Sequence, residues 1–285
     1  MPYWKIPAPI VLRVTGPHAV RYANARLTND IVKLEVGSGC LAAALTPQGK
    51  TEGFFSVFKV EPETLLLFCD GGDHEKVTLA FKRYLVADKV EVIDESDDWV
   101  CFHATAFPGR ERSRQITSSA IAWPRKRWKE PGFDVYERKD TVAVSGSKSK
   151  EKMLSDEEAK LARIQAGVPS FPENLNEERL FIEANLREAV SDTKGCYTGQ
   201  EVVERIASRG KTPRILVVGF IEGTGSPELG AAVKSAEGVE VGEVIEVAVD
   251  VQKERSYVFI SLKNSNEVLG LALNVNRKTL KLLTT

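Results

Sequence analysis

Residues 10–14, a short run of mostly β-branched and apolar side chains that ends at Gly16-Pro17, read as a strand; a short helix over 19–27 follows. Strands are expected at 41–45 and 54–60 around Thr46-Pro47-Gln48-Gly49-Lys50, where proline at the second turn position and glycine two later suit a hairpin. A strand at 65–69 closes on Gly71-Gly72. Val77, Leu79, Ala80, Phe81, Tyr84 and Leu85 then define a helix over 73–85 with Asp73 as its cap. Strands at 89–93 and 99–104 continue a mixed order without repeated βαβ units, so the class is α+β. The small, polar and charged stretch 145–152 is the best internal loop, and Ser155-Asp156-Glu157-Glu158 forms a capping box opening a helix through Ile164. Past Gly210 the pattern turns β-rich at 215–222, 242–251, 256–263 and 270–275, with glycine-marked turns, which predicts a small antiparallel sheet or barrel. The expected division is an α+β region over 1–210, with a subdomain break near 145–152, and a β-barrel domain over 211–285.

Composition narrows the function classes. With 42% hydrophobic and 28% charged residues over 285 positions, the chain has enough apolar side chains for a sizeable core. A formal net charge of −1 gives no global attraction to nucleic acid or membrane, and apolar runs such as 215–221 are too short to span a bilayer. Cys40, Cys69, Cys101 and Cys196 are scattered, with no C-x-x-C pair and no neighbouring histidine, as expected for reduced thiols in a cytoplasm. His18, His74 and His103 show no metal or triad spacing and read as structural or exposed. The one basic cluster comprises Arg110, Arg112, Arg114, Arg125, Lys126, Arg127 and Lys129, interleaved with Trp123 and Trp128. RNA or an anionic substrate tail would suit it, but a solvated face is the favoured reading because acidic residues elsewhere offset it, and nucleic acid is not an expected partner.

Candidate chemistry concentrates in Lys194-Gly195-Cys196-Tyr197-Thr198-Gly199-Gln200-Glu201. Thr198 as N-cap and Glu201 three residues later would complete a capping box, with Val202, Val203 and Ile206 as the apolar stripe of the helix. Cys196 would then precede a helix N-terminus, where partial positive charge and Lys194 favour a thiolate; the alternative is a cysteine that only packs. Glu183 offers two acceptor oxygens suited to the paired N–H donors of a pterin ring, or is a solvated surface residue. Arg205, four residues after Glu201, suits an ordinary ion pair. A short echo relates 163–168 to 181–186: as a structural repeat it would aim Gln165 and Glu183 at one cavity, and chance explains it equally well.

The stretch 194–201 with Arg205 resembles the K-G-C-Y-x-G-Q-E-x-x-x-R signature of the folate-binding iron–sulfur cluster assembly and repair family of the YgfZ type, related to the aminomethyltransferase T-protein of glycine cleavage. The resemblance extends to 27–31, 46–50, 166–169 and the β-rich C-terminus. It implies an aminomethyltransferase-like folate-binding region around a central cavity, a C-terminal antiparallel β-barrel, tetrahydrofolate as ligand, and iron–sulfur proteins as clients, including a radical tRNA-modifying enzyme. On that resemblance Cys196 and Lys194 carry the activity, and Glu183, Asn185, Tyr197, Gln165 and Arg205 bind the cofactor. The related transferases carry an aspartate shortly after the Gly-Lys turn, where this chain aligns Phe54, which has no proton to exchange. Gln165 replaces a transferase glutamate, and Asp192 replaces an aromatic before the motif lysine. The expected function is therefore cluster maintenance with folate bound. The alternative is a folate-dependent aminomethyltransferase or one-carbon demethylase, for which Asp30 and Glu52 are the nearest replacement acids.

Overall fold

The computed structural model describes residues 2–105, 115–140 and 152–283; Arg110, Arg112, Arg114 and nearly all of the expected loop at 145–152 lie outside them. The chain begins β1 (Tyr3–Lys5), β2 (Ile10–Thr15), α1 (Ala19–Arg26), β3 (Ser38–Leu45), β4 (Thr51–Glu61), β5 (Thr64–Cys69), α2 (His74–Lys82), β6 (Glu91–Asp94), β7 (Trp99–Ala104), β8 (Gln115–Ile116), β9 (Ala120–Arg125) and β10 (Gly132–Arg138). Two antiparallel five-stranded sheets result, one ordered β3-β4-β5-β2-β6 and the other β1-β7-β10-β9-β8.

The sheets face each other through an apolar layer to which both contribute. Phe58, Leu66 and Phe68 of the first sheet meet Trp99, Cys101, Ile121 and Tyr136 of the second. The Phe68 and Tyr136 ring centroids lie 4.1 Å apart, and Phe68 meets Trp99 edge-on at 5.1 Å. Burying each such side chain contributes on the order of 1.5–3 kcal/mol, so this layer is a principal adhesive between the sheets. The other face of the first sheet is covered by α1 and α2 through Ala19, Tyr22, Ala23, Val77 and Phe81. Asp73 caps α2 by accepting from the Lys76 amide, as expected, although the helix ends at Lys82.

After α3 (Asp156–Gln165), a 3-10 turn (Phe181–Ala184) and α4 (Gln200–Ser208), the chain forms β11 (Arg214–Glu222), β12 (Ala232–Ser235), β13 (Glu240–Asp250), β14 (Arg255–Lys263), α5 (Asn266–Leu269), β15 (Leu273–Val275) and β16 (Lys278–Leu282). The six strands close into an antiparallel barrel ordered β11-β14-β13-β12-β15-β16. Two of them, β12 and β16, were not expected: both are short, and β16 carries two lysines among its five residues, so neither leaves a clean alternation. The Ser155 capping box of α3 is present in both directions. Its Ile164 and Leu161 pack on the barrel residues Val218, Ile245, Tyr257 and Phe259. Arg163 donates to Val168 O, Asn174 Oδ1 and Glu246 Oε1, tying α3 to β13.

The basic cluster is not a solvated face where it is described. Lys126 and Lys129 are exposed, but Arg127 is buried and clamps two carboxylates. Its Nη1 and Nη2 reach Asp70 at 2.6 and 2.7 Å, and its Nε and Nη2 reach Asp134 at 2.7 and 2.6 Å. Asp134 also bonds His103 Nδ1 at 2.8 Å and accepts from the Tyr136 hydroxyl at 3.1 Å. The guanidinium holds both carboxyls below the usual range against the opposing pull of burial, while burial lowers the His103 imidazole. Sequence pattern cannot reveal this pairing, because a buried arginine and an exposed one look the same along the chain.

Removing one partner of such a cluster leaves an uncompensated buried charge. Asp134→Ala is therefore expected to lower unfolding free energy by about 3–5 kcal/mol, measured as a shift of the urea midpoint.

Candidate ligand and thiol site

The turn at 46–50 is the element around which the candidate residues gather. Phe181 N donates to Gly49 O at 3.0 Å, and Lys50 bridges Leu180, so the turn holds the start of the 181–184 turn. On its other side lies Gly199, where a Cβ would stand 2.7 Å from Thr46 O, and whose φ of +85° also favours glycine. One hairpin thus touches both the Glu183 segment and the thiol loop.

Gly199 takes the cap position of α4, so the expected Thr198–Glu201 capping box does not form. The Thr198 amide instead donates to Ala25 O at 3.2 Å. Gln200 Oε1 accepts from the Tyr197 amide at 3.1 Å, and Glu201 pairs with Arg205 on the surface. Arg205 has the i,i+4 role its spacing suggested.

Lys194 also has a partner other than the one its position suggested. Its ammonium donates to the carbonyls of Asn24, Leu27 (2.6 Å) and Asn29 (2.9 Å), which satisfies free carbonyls at the C-terminus of α1 where a cation is favoured. Asp30 and Cys40 are the acidic groups that share its field. The Tyr197 ring lies 4.9 Å from the ammonium, and burial pushes the Tyr197 hydroxyl up to about 12. Cys196 stands between these two anchored residues and is exposed, while the position of Gly195 is open to added atoms. The loop is tied down on both sides of a thiol that faces outward. Asp192 is exposed too.

Glu183 is 5% exposed. Among the described residues no side chain donates a hydrogen bond to its carboxylate; burial raises its affinity for a proton, and the charge of Arg214, a backbone hydrogen bond from Leu180 and the charge of Arg179 oppose that rise. Asn185 follows in the left-handed region at φ 53°, exposed, and accepts from Arg187 at 3.4 Å. Gln165 does not share a cavity contact with Glu183 in the bonds described: its amide donates to Asp250 Oδ2 of the barrel at 3.2 Å.

Phe54 is buried, with its ring 5.9 Å from Phe181 and 5.4 Å from the Arg125 guanidinium carbon. Glu52 does not share that face. The β3–β4 register slips between Ala44 and Leu45, pairing Gly53 and then Thr51 and leaving Glu52 as the extra residue of a bulge. Glu52 turns to the helix side, buried between Arg26 at 3.3 Å and Arg83 at 2.6 Å. Asp30 pairs with Lys33 at 3.1 Å. Sequence reasoning missed Arg125 as a neighbour of Phe54, and Asp70 as a neighbour of Arg125; the available signal was the interleaving of arginine with tryptophan at 123–128.

No family model matches the chain. An uncharacterized protein from Haemophilus influenzae is 27% identical over 272 residues, covering 93% of this chain and 86% of that protein. The tRNA-modifying protein YgfZ of Klebsiella pneumoniae is 25% identical over 279 residues, covering 90% and 82%. Among solved structures, the glycine cleavage system aminomethyltransferase T from Bartonella henselae matches with a TM-score of 0.84 at 15% identity, over 100% of this chain and 85% of that one. The fold is therefore aminomethyltransferase-like, with its barrel at the C-terminus. The relatives include proteins named tRNA-modifying protein YgfZ and, at 24% identity, an aminomethyltransferase of Koribacter versatilis, so the chain is similar to the YgfZ-type family related to the T-protein.

Burial pulls the Lys194 ammonium down to about 8. Competitive amine labelling followed by peptide mass analysis is expected to show Lys194 titrating near that value, well below the exposed lysines, which label with a midpoint of about 10.4.

Proposed function

We propose that this protein binds tetrahydrofolate and serves iron–sulfur cluster assembly or repair through Cys196. The observation that carries the ligand reading is Glu183, a buried carboxylate with no side-chain donor among the described residues. A buried acceptor of this kind is costly until a ligand supplies N–H groups, and the amino and ring N–H donors of a reduced pterin match its two oxygens. Tyr197 and Asn185 stand on the adjoining loops as further members of the site.

The thiol is the second part of the proposal. Cys196 is exposed on a loop whose neighbours are fixed, which suits contact with another protein better than chemistry in an enclosed pocket. Thiolate sulfur is a soft ligand for cluster iron, so iron–sulfur proteins are the proposed clients. The cytoplasm is the proposed compartment; among the described residues no helix is long and apolar enough to cross a membrane.

Folate-dependent aminomethyl transfer or demethylation is the competing activity for this fold. It requires an acid beside the reacting nitrogen. Phe54 supplies none, Glu52 is locked between two arginines on the helix side, and Asp30 is paired with Lys33.

Isothermal titration of the whole protein is expected to show tetrahydrofolate binding, weakened about 10- to 100-fold by Glu183→Gln, the equivalent of losing charge-assisted bonds worth about 1.5–3 kcal/mol. Absence of binding to the parent protein overturns the ligand reading. Cys196→Ala is expected to bind tetrahydrofolate normally yet fail to restore iron–sulfur enzyme activity in a deletion strain; full restoration refutes the thiol role.

A further inference from the structure

Arg125 ends β9 beside Phe54, at the margin of the layer between the two sheets. Its side chain is 9% exposed, yet it is incompletely engaged. Its one hydrogen bond among those described is from Nη1 to Ser56 Oγ at 2.7 Å, although a guanidinium has five N–H donors. The carboxylate nearest to it, Asp70, has both oxygens held by Arg127, and the Arg125–Asp70 approach is 3.8 Å. None of the nitrogens of Arg125 is both fully enclosed and unbonded, so the unused donors border accessible space.

The neighbours of Arg125 are arranged as its support. Ser56 Oγ, which accepts from Arg125, also lies 3.2 Å from the Tyr136 hydroxyl, and that hydroxyl meets Asp134. Asp134 and Asp70 are joined by Arg127. A buried ion cluster is no more stable than apolar residues of similar volume, so stability alone does not account for it. Its other effect is to hold in place Arg125, which among the described bonds retains unused donors. Phe181, whose ring lies 5.9 Å from that of Phe54, belongs to the same turn as Glu183. The Phe54–Phe181 pair thus links the neighbourhood of a carboxylate with no side-chain donor among the described residues to that of a guanidinium with unused donors.

We propose that Arg125 binds a carboxylate of the ligand whose hydrogen-bond-donating head is held by Glu183. This rests on the tetrahydrofolate reading and extends it. The ligand carries its N–H donors on the pterin and its carboxylates at the opposite end, matching the polarity from Glu183 to Arg125. The donors that Arg125 does not spend on Ser56 suit a carboxylate, which a guanidinium engages through two parallel N–H bonds.

The test compares tetrahydrofolate with its dimethyl ester, which removes the negative charges without shortening the molecule, by titration of the whole protein. The parent is expected to prefer the free acid by about tenfold or more, and Arg125→Gln to abolish that preference while leaving ester affinity unchanged. Arg125→Lys, which keeps the charge but not the fork, is expected to retain only part of it. Glu183→Gln weakens both ligands alike. Equal binding of acid and ester by the parent overturns the assignment, as does a preference that survives in Arg125→Gln. Loss of both ligands in Arg125→Gln and Arg125→Lys also overturns it, in favour of a purely structural role. If the parent binds neither ligand, the folate reading itself fails and this assignment falls with it.

Discussion

The clamp of Arg127 on Asp70 and Asp134 is the interaction on which the arrangement around Phe54 depends. Asp70 follows β5 in the first sheet, and Asp134 lies within β10 of the second, so one guanidinium fastens two separate sheets at a defined offset. Aromatic packing supplies the adhesion between the sheets but tolerates sliding. Two bidentate ion pairs do not, because each fork fixes distance and plane together. The offset they impose brings Arg125 of the second sheet over Phe54 of the first. The charges of Asp70, Asp134, Arg125 and Arg127 cancel, and the lowered proton affinity of His103 keeps a fifth charge out of the cluster.

A different economy governs the thiol loop. Lys194 is fixed by three carbonyls of the α1 terminus, Thr198 by the carbonyl of Ala25, and Tyr197 by burial. The loop therefore borrows its rigidity from the end of a helix formed far earlier in the chain. Cys196 makes none of these contacts and is exposed. The turn at 46–50 touches both this loop and the Glu183 segment through Gly199 and Gly49, so that segment and the thiol loop share one support.

Much of this was legible in the sequence and part of it was not, for physical reasons. Strands β2 to β5, both capped helices α2 and α3, and the barrel announce themselves because each has one face in a core and a marked end. The motif at 194–201 located the thiol loop but misplaced its helix cap, because Thr198 and Gly199 both suit a helix start and only the crowding of Gly199 against Thr46 decides between them. Lys194 and Cys196 are neighbours in sequence, yet the lysine serves carbonyls about 170 positions earlier, which no local pattern encodes. The basic stretch was misread for the same reason: Arg127 and Lys126 differ in burial although they are adjacent and equally charged.

The phenyl ring of Phe54, at the position where the resemblance to the transferases implies an acid, gains its force from the bulge beside it. In a regular strand Glu52 and Phe54 would point the same way, and a carboxylate two residues from the missing aspartate could take over its work. The extra residue at Glu52 reverses the alternation and delivers that carboxylate to Arg26 and Arg83, behind the sheet. Recovering an acid at this site therefore needs more than one substitution. Phe54→Asp alone would bury a carboxylate next to Phe181, within reach of the Arg125 cation that already flanks the ring. That cation would hold the new acid ionised and paired, leaving it a poor proton donor. The same guanidinium that suits a ligand carboxylate thus works against transferase chemistry, and the two features are consequences of one charge placement.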